Sequence, residues 1–231
     1  IVKNNKILKK ITIPTELLTT KYFDKKIKFI KKYKIVSSLF CSVVPKKYLI
    51  IKNILSKKYS IKINDLKKIN LKDLIKIKVD FKQVGSDRIA NSISVLNMKT
   101  NYIIIDFGTA TTFDVIIKDT YYGGVIAPGI NLSIKSLEKN ASLIPIFTIK
   151  KVKKVIGKST LSALRSGFFW GYTGLINNII KLIKFETKKN FKIIATGGYS
   201  HLFNSSLNYK VSIDKDVTIK GLIKIINKKN I

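Results

Sequence analysis

The feature that most constrains the fold is a β-hairpin pattern that opens each half of this 231-residue chain. A strand, a tight turn and a returning strand are predicted over 102–117, and a shorter hairpin is predicted over 1–13. After each hairpin, amphipathic helices alternate with short apolar strands, two of which are predicted in the first half over 35–44 and 59–63. Two such halves predict an α/β protein with two lobes, residues 1–99 and residues 100–231, and a cleft between the lobes.

The net charge of +32 is carried almost entirely by lysine, because only Arg88 and Arg165 of the 45 basic residues are arginines. A strongly cationic chain can bind nucleic acid by neutralising phosphates and releasing counterions. Here the lysines are spread along the whole chain and accompany abundant Ile and Asn, which a strongly AT-rich genome would encode. We therefore interpret the charge as compositional drift and expect no specific nucleic-acid partner.

Other features of the composition exclude several classes of protein. The single cysteine, Cys41, excludes a disulfide framework and a cysteine-rich zinc site, and it suits a reducing compartment. Uncharged stretches such as 166–180 are too short and too polar to cross a bilayer. No continuous apolar segment of the kind found in signal peptides opens the sequence. We therefore expect a cytoplasmic protein without a membrane partner.

The segment Asp106–Thr112, of sequence DFGTATT, carries the strongest local signal for chemistry. Asp106 ends a predicted strand, Gly108 permits a close backbone turn, and the threonine hydroxyls and amide N–H groups can donate to phosphate oxygens. The carboxylate could supply oxygen to a hard cation, and phosphoryl transfer needs positive charge near its oxygens. The alternative is a hairpin whose Asp and Thr side chains only satisfy the backbone of the turn.

A second signal lies in Gly85–Asn91, where Asp87 and Arg88 are adjacent at the start of a predicted helix. Arg88 is one of only two arginines among the 45 basic residues. In one interpretation, Asp87 is a helix N-terminal cap and nothing more. In the functional interpretation, Asp87 is a general base for an attacking hydroxyl group, and Arg88 is a forked donor for an anionic substrate.

Two glycine-containing segments follow later in the chain. Gly157–Thr160 is similar to the tail of a P-loop, but Val152 stands where that loop requires glycine and no strand leads into it, so we reject a P-loop. Ser159 or Thr160 is then either a helix N-cap or a hydroxyl that faces a substrate. Thr196–Gly198 follows a predicted strand, and it forms either an ordinary turn or a bare backbone surface for a nucleobase or ribose.

Taken together and in order, these motifs resemble those of the type III pantothenate kinases, a family of the acetate and sugar kinase, Hsp70 and actin superfamily. The resemblance covers nearly the entire chain and implies the two-lobed, duplicated ribonuclease H-like fold of that superfamily. Five segments match family motifs: Gly85–Arg88 (G-x-D-R), Asp106–Thr112 (D-x-G-T-A-T-T), Gly123–Gly129 (G-G-x-I-x-P-G), Gly157–Thr160 (G-x-S-T) and Thr196–Gly198 (T-G-G).

The resemblance implies an enzyme that transfers the ATP γ-phosphoryl group to pantothenate, the first step of coenzyme A synthesis. It makes Asp87 the proton acceptor and Asp106 the ligand of a monovalent cation, K⁺ or NH₄⁺, with Mg²⁺ entering on ATP. It also implies a homodimer with pantothenate near the subunit interface. The remaining implied contacts are Gly85, Ser86, Arg88 and Thr160 to pantothenate, and Gly108, Thr109, Thr196, Gly197 and Gly198 to ATP.

The sequence departs from the family pattern at two places. The family begins with a strand and a D-x-G-N-T loop that surrounds the ATP phosphates, whereas Ile1 stands within the first predicted hairpin. We therefore expect that loop to be missing, and we expect little kinase activity from residues 1–231 alone. Where relatives often carry a tyrosine that contacts pantothenate, the segment 76–82 has Phe81 as its only aromatic residue.

Two other functions compete with the kinase. One is a catalytically silent regulatory relative, like the transcription-accessory proteins of the same family. The other is a lysine-rich nucleic-acid-binding protein, which the absence of an RNA-recognition signature disfavours. Asp87, Arg88, Asp106 and Thr109 favour the kinase, because a silent relative has no chemical need for that set.

Overall fold

The structure is a computed structural model that describes residues 1–42 and 44–229. Contacts divide it into two units. The first unit comprises Ile1–Lys76, Asp80–Val95 and the chain from Thr218 onward, and the second comprises Ile77–Val79 and Leu96–Val217. The lobe boundary expected between residues 99 and 100 stays a prediction.

The α-helices and β-strands alternate along the chain. The helices are α1 Thr20–Ile27, α2 Pro45–Tyr59, α3 Ser86–Val95, α4 Ile130–Asn140, α5 Thr160–Thr187, α6 Ser200–Phe203 and α7 Val217–Lys229. The strands are β1 Val2–Lys3, β2 Lys6–Ile7, β3 Leu39–Phe40, β4 Asn64–Asp65, β5 Lys76–Ile77, β6 Tyr102–Phe107, β7 Ala110–Ile117, β8 Thr120–Pro128, β9 Lys192–Gly197 and β10 Val211–Ile213. Short 3₁₀ helices cover Thr15–Leu17, Lys28–Lys32, Leu66–Lys68 and Asn204–Ser206.

The second unit is built on a mixed sheet with the strand order β10-β9-β6-β7-β8-β5, in which Ile77 is the residue of β5 that belongs to this unit. β6, β7 and β8 form an antiparallel meander, whereas β9 runs parallel to β6 and β10 runs parallel to β9. β6 is therefore an inner strand, paired on both edges. The predicted hairpin over 102–117 is confirmed, and so is the α/β fold class.

Alternation along the inner strands places one set of side chains in the main core of the second unit. Ile103, Ile105 and Phe107 of β6 are buried together with one side of the long helix α5, including Phe169 and Ile176. The same cluster holds Phe203 of α6, whose ring stacks on Phe107 with 5.5 Å between ring centroids. This packing fixes the carboxyl ends of β6 and β9.

The first unit repeats part of this pattern with much shorter strands. β1 and β2 pair antiparallel, and β3 and β4 pair parallel, in the same chain order as the β7–β8 and β9–β10 pairs of the second unit. A groove of about 930 Å³ is lined by residues of both short ladders, including Val2 and Leu39, and by Leu222 and Ile226 of α7. The predicted amino-terminal hairpin is confirmed, but its second strand ends at Ile7.

Two strand predictions in the first unit are wrong in extent or position. The strand predicted over 35–44 is limited to Leu39–Phe40, and its position 43 lies outside the described residues. The strand predicted over 59–63 is replaced by the end of α2. Ser60 ends that helix in the left-handed conformation, with φ at 53°, and the Ile61 amide donates to Leu55 O at 2.9 Å. A helix ending of this kind satisfies the terminal carbonyls, so no strand is needed there.

Among the described residues, no helix is both long enough and apolar enough to span a membrane.

Candidate active site

The turn between β6 and β7 presents exposed backbone at the end of the central strand of the second unit. Gly108 and Thr109 are exposed, and the Gly108 amide donates to Ala110 O at 3.1 Å. Asp106, half-buried, precedes the turn. The DFGTATT segment therefore forms the tight turn expected from the sequence, and its polar groups stand at a strand end.

Two other glycine motifs pack directly against this turn. A Cβ atom at Gly129 would lie 1.9 Å from the Thr109 carbonyl oxygen, so only glycine permits the contact. Gly197 has a φ of +86°, and a Cβ there would lie 2.5 Å from Phe107 O. The Gly198 amide donates to Phe107 O at 3.2 Å, and a Cβ at Gly198 would meet nothing within 4 Å. The structure thus brings three of the sequence motifs together around one turn.

Asp106 has a threonine as its register partner on each side. It pairs with Thr112 of β7 and with Thr196 of β9, and register partners project from the same face of a sheet. Thr196 is 5% exposed. This row offers one carboxylate and two hydroxyl groups. A hard monovalent cation prefers such oxygen ligands, and this donor set fits it.

The described part of the chain contains no cluster of ionisable side chains of the kind that binds a metal ion. No group of three or more His, Cys, Asp or Glu side chains that could hold a metal ion occurs among residues 1–42 and 44–229. Any metal at Asp106 would therefore have at most two His, Cys, Asp or Glu ligands from the described residues and would depend on hydroxyl, carbonyl or phosphate oxygens for the rest.

The start of α3 in the first unit carries the Gly85–Arg88 motif. Ser86, 2% exposed, donates from its hydroxyl to Ser42 O at 3.0 Å, which ties the helix start to the chain that follows β3. The Asp87 carboxylate accepts the Arg88 amide at 2.8 Å. Asp87 and Arg88 are both half-buried. Asp87 is the second residue of α3, so it is an acidic residue of the first helical turn and not the N-cap, and its chemical role stays a prediction.

Cys41 supports the start of this helix, and its surroundings disfavour the thiolate form. Its thiol donates to the Ser86 hydroxyl oxygen at 3.3 Å. Burial raises the pKa of the thiol from 9.0 to about 11, and the charge of Asp87 acts in the same direction, although the Ser86 hydrogen bond opposes both. Since thiolate is the reactive form, the sulfur is inert near neutral pH.

The Gly157–Thr160 motif forms the amino-terminal cap of α5. The Ser159 hydroxyl accepts the Ser162 amide at 3.3 Å, and the Ser162 hydroxyl accepts the Ser159 amide at 2.9 Å, which is a capping box. A Cβ at Gly157 would lie 2.3 Å from the Ala163 amide nitrogen, so this residue packs tightly on the first helical turn. Ser159 is therefore the N-cap, and Thr160 is left exposed at the first helical position.

Thr160 borders an apolar groove along α5. The groove has a volume of about 640 Å³, and its lining includes Phe168, Gly167 and Gly171. At its polar end, the hydroxyls of Ser133 and Tyr172 lie 2.7 Å apart.

Comparison with known proteins agrees with the order of these motifs. Residues 1–182 match the family model described as type III pantothenate kinase. A type III pantothenate kinase of Pelagibacter ubique is 55% identical over 222 residues, which are 95% of this chain and 90% of the relative. The chain belongs to the type III pantothenate kinase family. The predicted family is confirmed.

More distant relatives match a smaller part of the chain. The type III pantothenate kinase of Paramagnetospirillum magneticum is 43% identical over 145 residues, which are 62% of this chain and 56% of the relative. The alignment therefore spans little more than half of that protein. Among solved structures, a conserved Campylobacter jejuni protein assigned to the Baf family of transcriptional activators has a TM-score of 0.60 at 22% identity, covering 88% of each chain. At 22% identity, this similarity shows only that the two proteins have similar folds.

The site residues expected for a type III pantothenate kinase fall into two groups. Gly108, Thr109, Asp106 and Thr196–Gly198 lie together in the second unit, where Thr160 stands at the start of α5. Gly85–Arg88 lies at the start of α3 in the first unit. Their roles toward ATP, pantothenate and cations stay predictions.

The structure adds two residues that sequence reasoning did not select. Thr112 stands beside Asp106 because of the β6–β7 register, and Gly129 supports the Thr109 turn through a contact that no spacing rule reveals. The signal for Thr112 was present, since the two strands of a tight hairpin place Asp106 opposite a residue a fixed distance beyond the turn.

Proposed function

We propose that this protein transfers the γ-phosphoryl group of ATP to pantothenate and forms 4′-phosphopantothenate, the first step of coenzyme A synthesis. The observation that carries the proposal is the 55% identity with a type III pantothenate kinase over 95% of the chain. The intact Asp87, Arg88, Asp106 and Thr109 support it, because each group has a defined task in phosphoryl transfer.

In the proposed reaction, Asp87 accepts the proton of the pantothenate primary hydroxyl. That oxygen forms a bond to the γ-phosphorus while the bond from the γ-phosphorus to the bridging oxygen breaks, and ADP leaves with that oxygen. One oxygen of the Asp87 carboxylate accepts the Arg88 amide at 2.8 Å, which fixes the carboxylate and leaves its other oxygen for a proton. Gly85, Ser86 and Arg88 hold the acceptor, with the planar guanidinium of Arg88 suited to the pantothenate carboxylate.

ATP is proposed to lie against the glycine-rich turns of the second unit. Gly108, Thr109 and Gly198 are exposed, and the space beside Gly198 is open, so backbone can approach the nucleotide closely. Thr196 and Gly197 end the strand that pairs with β6 at Asp106 and Phe107. Backbone N–H groups at such turns are suitable donors to phosphate oxygens.

A kinase of this family uses ATP with a divalent metal, and we propose a K⁺ or NH₄⁺ ion beside it at Asp106. The carboxylate of Asp106, with the flanking hydroxyls of Thr112 and Thr196, would hold that ion. When bound, a cation there supplies positive charge near the phosphate oxygens. Asp106 and the threonines would orient it.

We propose that two copies of the chain associate through the groove on α5. Ala163, Gly167 and Gly171 are exposed at four-residue spacing, so they form one stripe along the helix. A Cβ at Gly167 or Gly171 would meet nothing within 4 Å. Small residues let a second helix approach closely, and the apolar lining of the groove favours burial. Thr160 at the edge of this groove would then contact pantothenate near the interface.

We expect the reaction to take place in the cytoplasm, where ATP is available. The test of the function is the identity of the product. The tested protein carries the family's amino-terminal D-x-G-N-T loop in front of residues 1–231, and it is called full-length below. It is incubated with ATP, MgCl₂, KCl and pantothenate, and the acceptor is analysed by mass spectrometry. Formation of 4′-phosphopantothenate supports the proposal. Unchanged pantothenate in the presence of folded protein would favour the silent regulatory relative.

A further inference from the structure

The side chain of Lys67 is less exposed than those of many other lysines in this chain. It lies in the 3₁₀ turn Leu66–Lys68, directly after β4, and its side chain is half-buried. Asp65 caps this turn by accepting the Lys67 amide at 3.0 Å, and Leu66 is completely buried. The backbone that carries Lys67 is therefore fixed.

The ammonium group of Lys67 holds the segment that leads into the Gly85–Arg88 motif. Its Nζ donates to Phe81 O at 2.5 Å and lies 3.5 Å from Lys82 O. It also stands 4.5 Å from the centroid of the Phe81 ring, within range of a cation–π contact. One side chain thus contacts two successive carbonyls and an aromatic ring in a segment that ends a few residues before Asp87.

The charges around Lys67 include those of the motif itself. Burial lowers the pKa of Lys67, and the negative charges of Asp80, Asp65 and Asp87 act against that shift. A buried ammonium costs free energy unless it is paired and hydrogen-bonded. Here the acidic groups and the two carbonyls compensate that cost, so a charged side chain is stable at this position.

Asp80 fixes the same segment from its other end. Its carboxylate accepts the Lys82 amide at 2.9 Å and the Gln83 side-chain amide at 3.1 Å. Lys67 is what ties this turn to the chain after β4, in the same way that Ser86 ties the start of α3 to Ser42 after β3. These hydrogen bonds of Lys67 and Ser86 therefore connect the Gly85–Arg88 motif and the segment before it to the chain just after β3 and β4, the two parallel strands of the first unit.

We propose that Lys67 is a positioning residue for the acceptor substrate, which holds the 81–85 segment so that Asp87 and Arg88 are presented in a fixed geometry. This inference rests on the proposed pantothenate kinase function. It assigns Lys67 no contact with the reacting atoms. A displacement of about 1 Å in such a group can lower the rate by about 10²-fold, so an anchor of this kind affects catalysis without touching the substrate.

The test compares Lys67→Met with Lys67→Arg in the full-length protein. The matched control is Lys68→Met, which removes the same charge from the exposed neighbour in the same turn. We expect Lys67→Met to lower kcat/KM for pantothenate by about 10- to 100-fold and to leave KM for ATP within about twofold. Lys67→Arg, which keeps the charge and the donors, should recover most of the loss, and Lys68→Met should behave like the unsubstituted protein.

Two results would overturn the proposal: an unchanged kcat/KM for pantothenate in Lys67→Met, or an equal rise in the KM values for both substrates. Lys67→Gln, which keeps one donor, replaces Lys67→Met if the latter does not fold. Amide hydrogen exchange over 81–88 tests the anchor without any activity. Exchange should quicken there in Lys67→Met and not in Lys67→Arg or Lys68→Met, and unchanged exchange in Lys67→Met refutes the anchor. A protein that forms no 4′-phosphopantothenate, with quickened exchange in Lys67→Met, refutes the proposed function and not the anchor.

Discussion

Gly129 and the Thr109 carbonyl are in such close contact that a single methyl group at Gly129 would lie 1.9 Å from the oxygen. The residue that follows β8 therefore packs directly against the β6–β7 turn. This contact explains why a glycine stands between β8 and α4, where any other residue would push the turn away from its position.

The first prediction concerns this contact. Gly129→Ala should displace the β6–β7 turn, lower the free energy of unfolding by about 1–3 kcal/mol and weaken ATP binding. Thermal unfolding and ATP titration measure the two effects. Gly174→Ala is the control, because a Cβ there meets nothing within 4 Å and alanine favours a helix. Equal stability and equal ATP affinity in Gly129→Ala would mean that the turn does not bind the nucleotide in this conformation.

The second prediction concerns the cation at Asp106. Asp106→Asn should lower kcat by about 10²-fold and abolish the activation by KCl over choline chloride, since the only carboxylate of the Asp106, Thr112 and Thr196 row is lost. Initial rates at constant ionic strength measure this. Asp119→Asn, at the other end of the same meander between β7 and β8, should keep full activation. Retained potassium activation in Asp106→Asn would place the ion elsewhere.

The third prediction concerns association through α5. Light scattering should give about twice the chain mass of 26.2 kDa for the unsubstituted protein. Gly171→Glu places a carboxylate in the apolar groove and should yield monomers. Lys181→Glu, on the same helix and about 15 Å further along, should remain dimeric. A dimer that persists in Gly171→Glu would exclude the groove as the interface.

The fourth prediction concerns pH and Cys41. Below pH 9 the thiol is protonated in both the folded and the unfolded chain, so its ionisation has no effect on stability. Between pH 9.0 and about 11 the unfolded thiol ionises while burial keeps the folded one protonated, so stability falls as pH rises. The slope is on the order of 1 kcal/mol per pH unit. Chemical denaturation at several pH values should show this loss in the unsubstituted protein relative to Cys41→Ser, and identical slopes would contradict it.

Much of the second unit could be predicted from its sequence because its four inner strands are long and paired on both edges. The apolar run at 102–107 and the glycine turn after it specify a hairpin by local chemistry alone. The first unit was harder, since its strands contain two residues each and their placement depends on contacts distant in sequence. The end of α2 at Tyr59 was not predicted for a different reason: Ser60 ends the helix in a left-handed conformation without the glycine that usually marks such an end in a sequence.

For the candidate site, spacing identified the motifs but not their mutual contacts. Asp87 and Asp106 could be selected because a carboxylate at an element boundary beside glycine is a chemical signal in itself. Thr112 could have been selected from the register of the predicted hairpin. Lys67 could not, since it is one lysine among many until its contacts with Phe81 and Lys82 are known.

The most direct measurement of the central claim is pantothenate-dependent ADP formation by the full-length protein and its Asp87→Asn variant, with Mg²⁺ and K⁺ present. We expect ADP release only when pantothenate is added, and we expect Asp87→Asn to lower kcat by about 10²–10⁴-fold while ATP binding is retained, because a general base contributes about that much. Near-normal turnover in Asp87→Asn would show that another group accepts the proton. ADP release that does not depend on added pantothenate would contradict the assignment of the substrate.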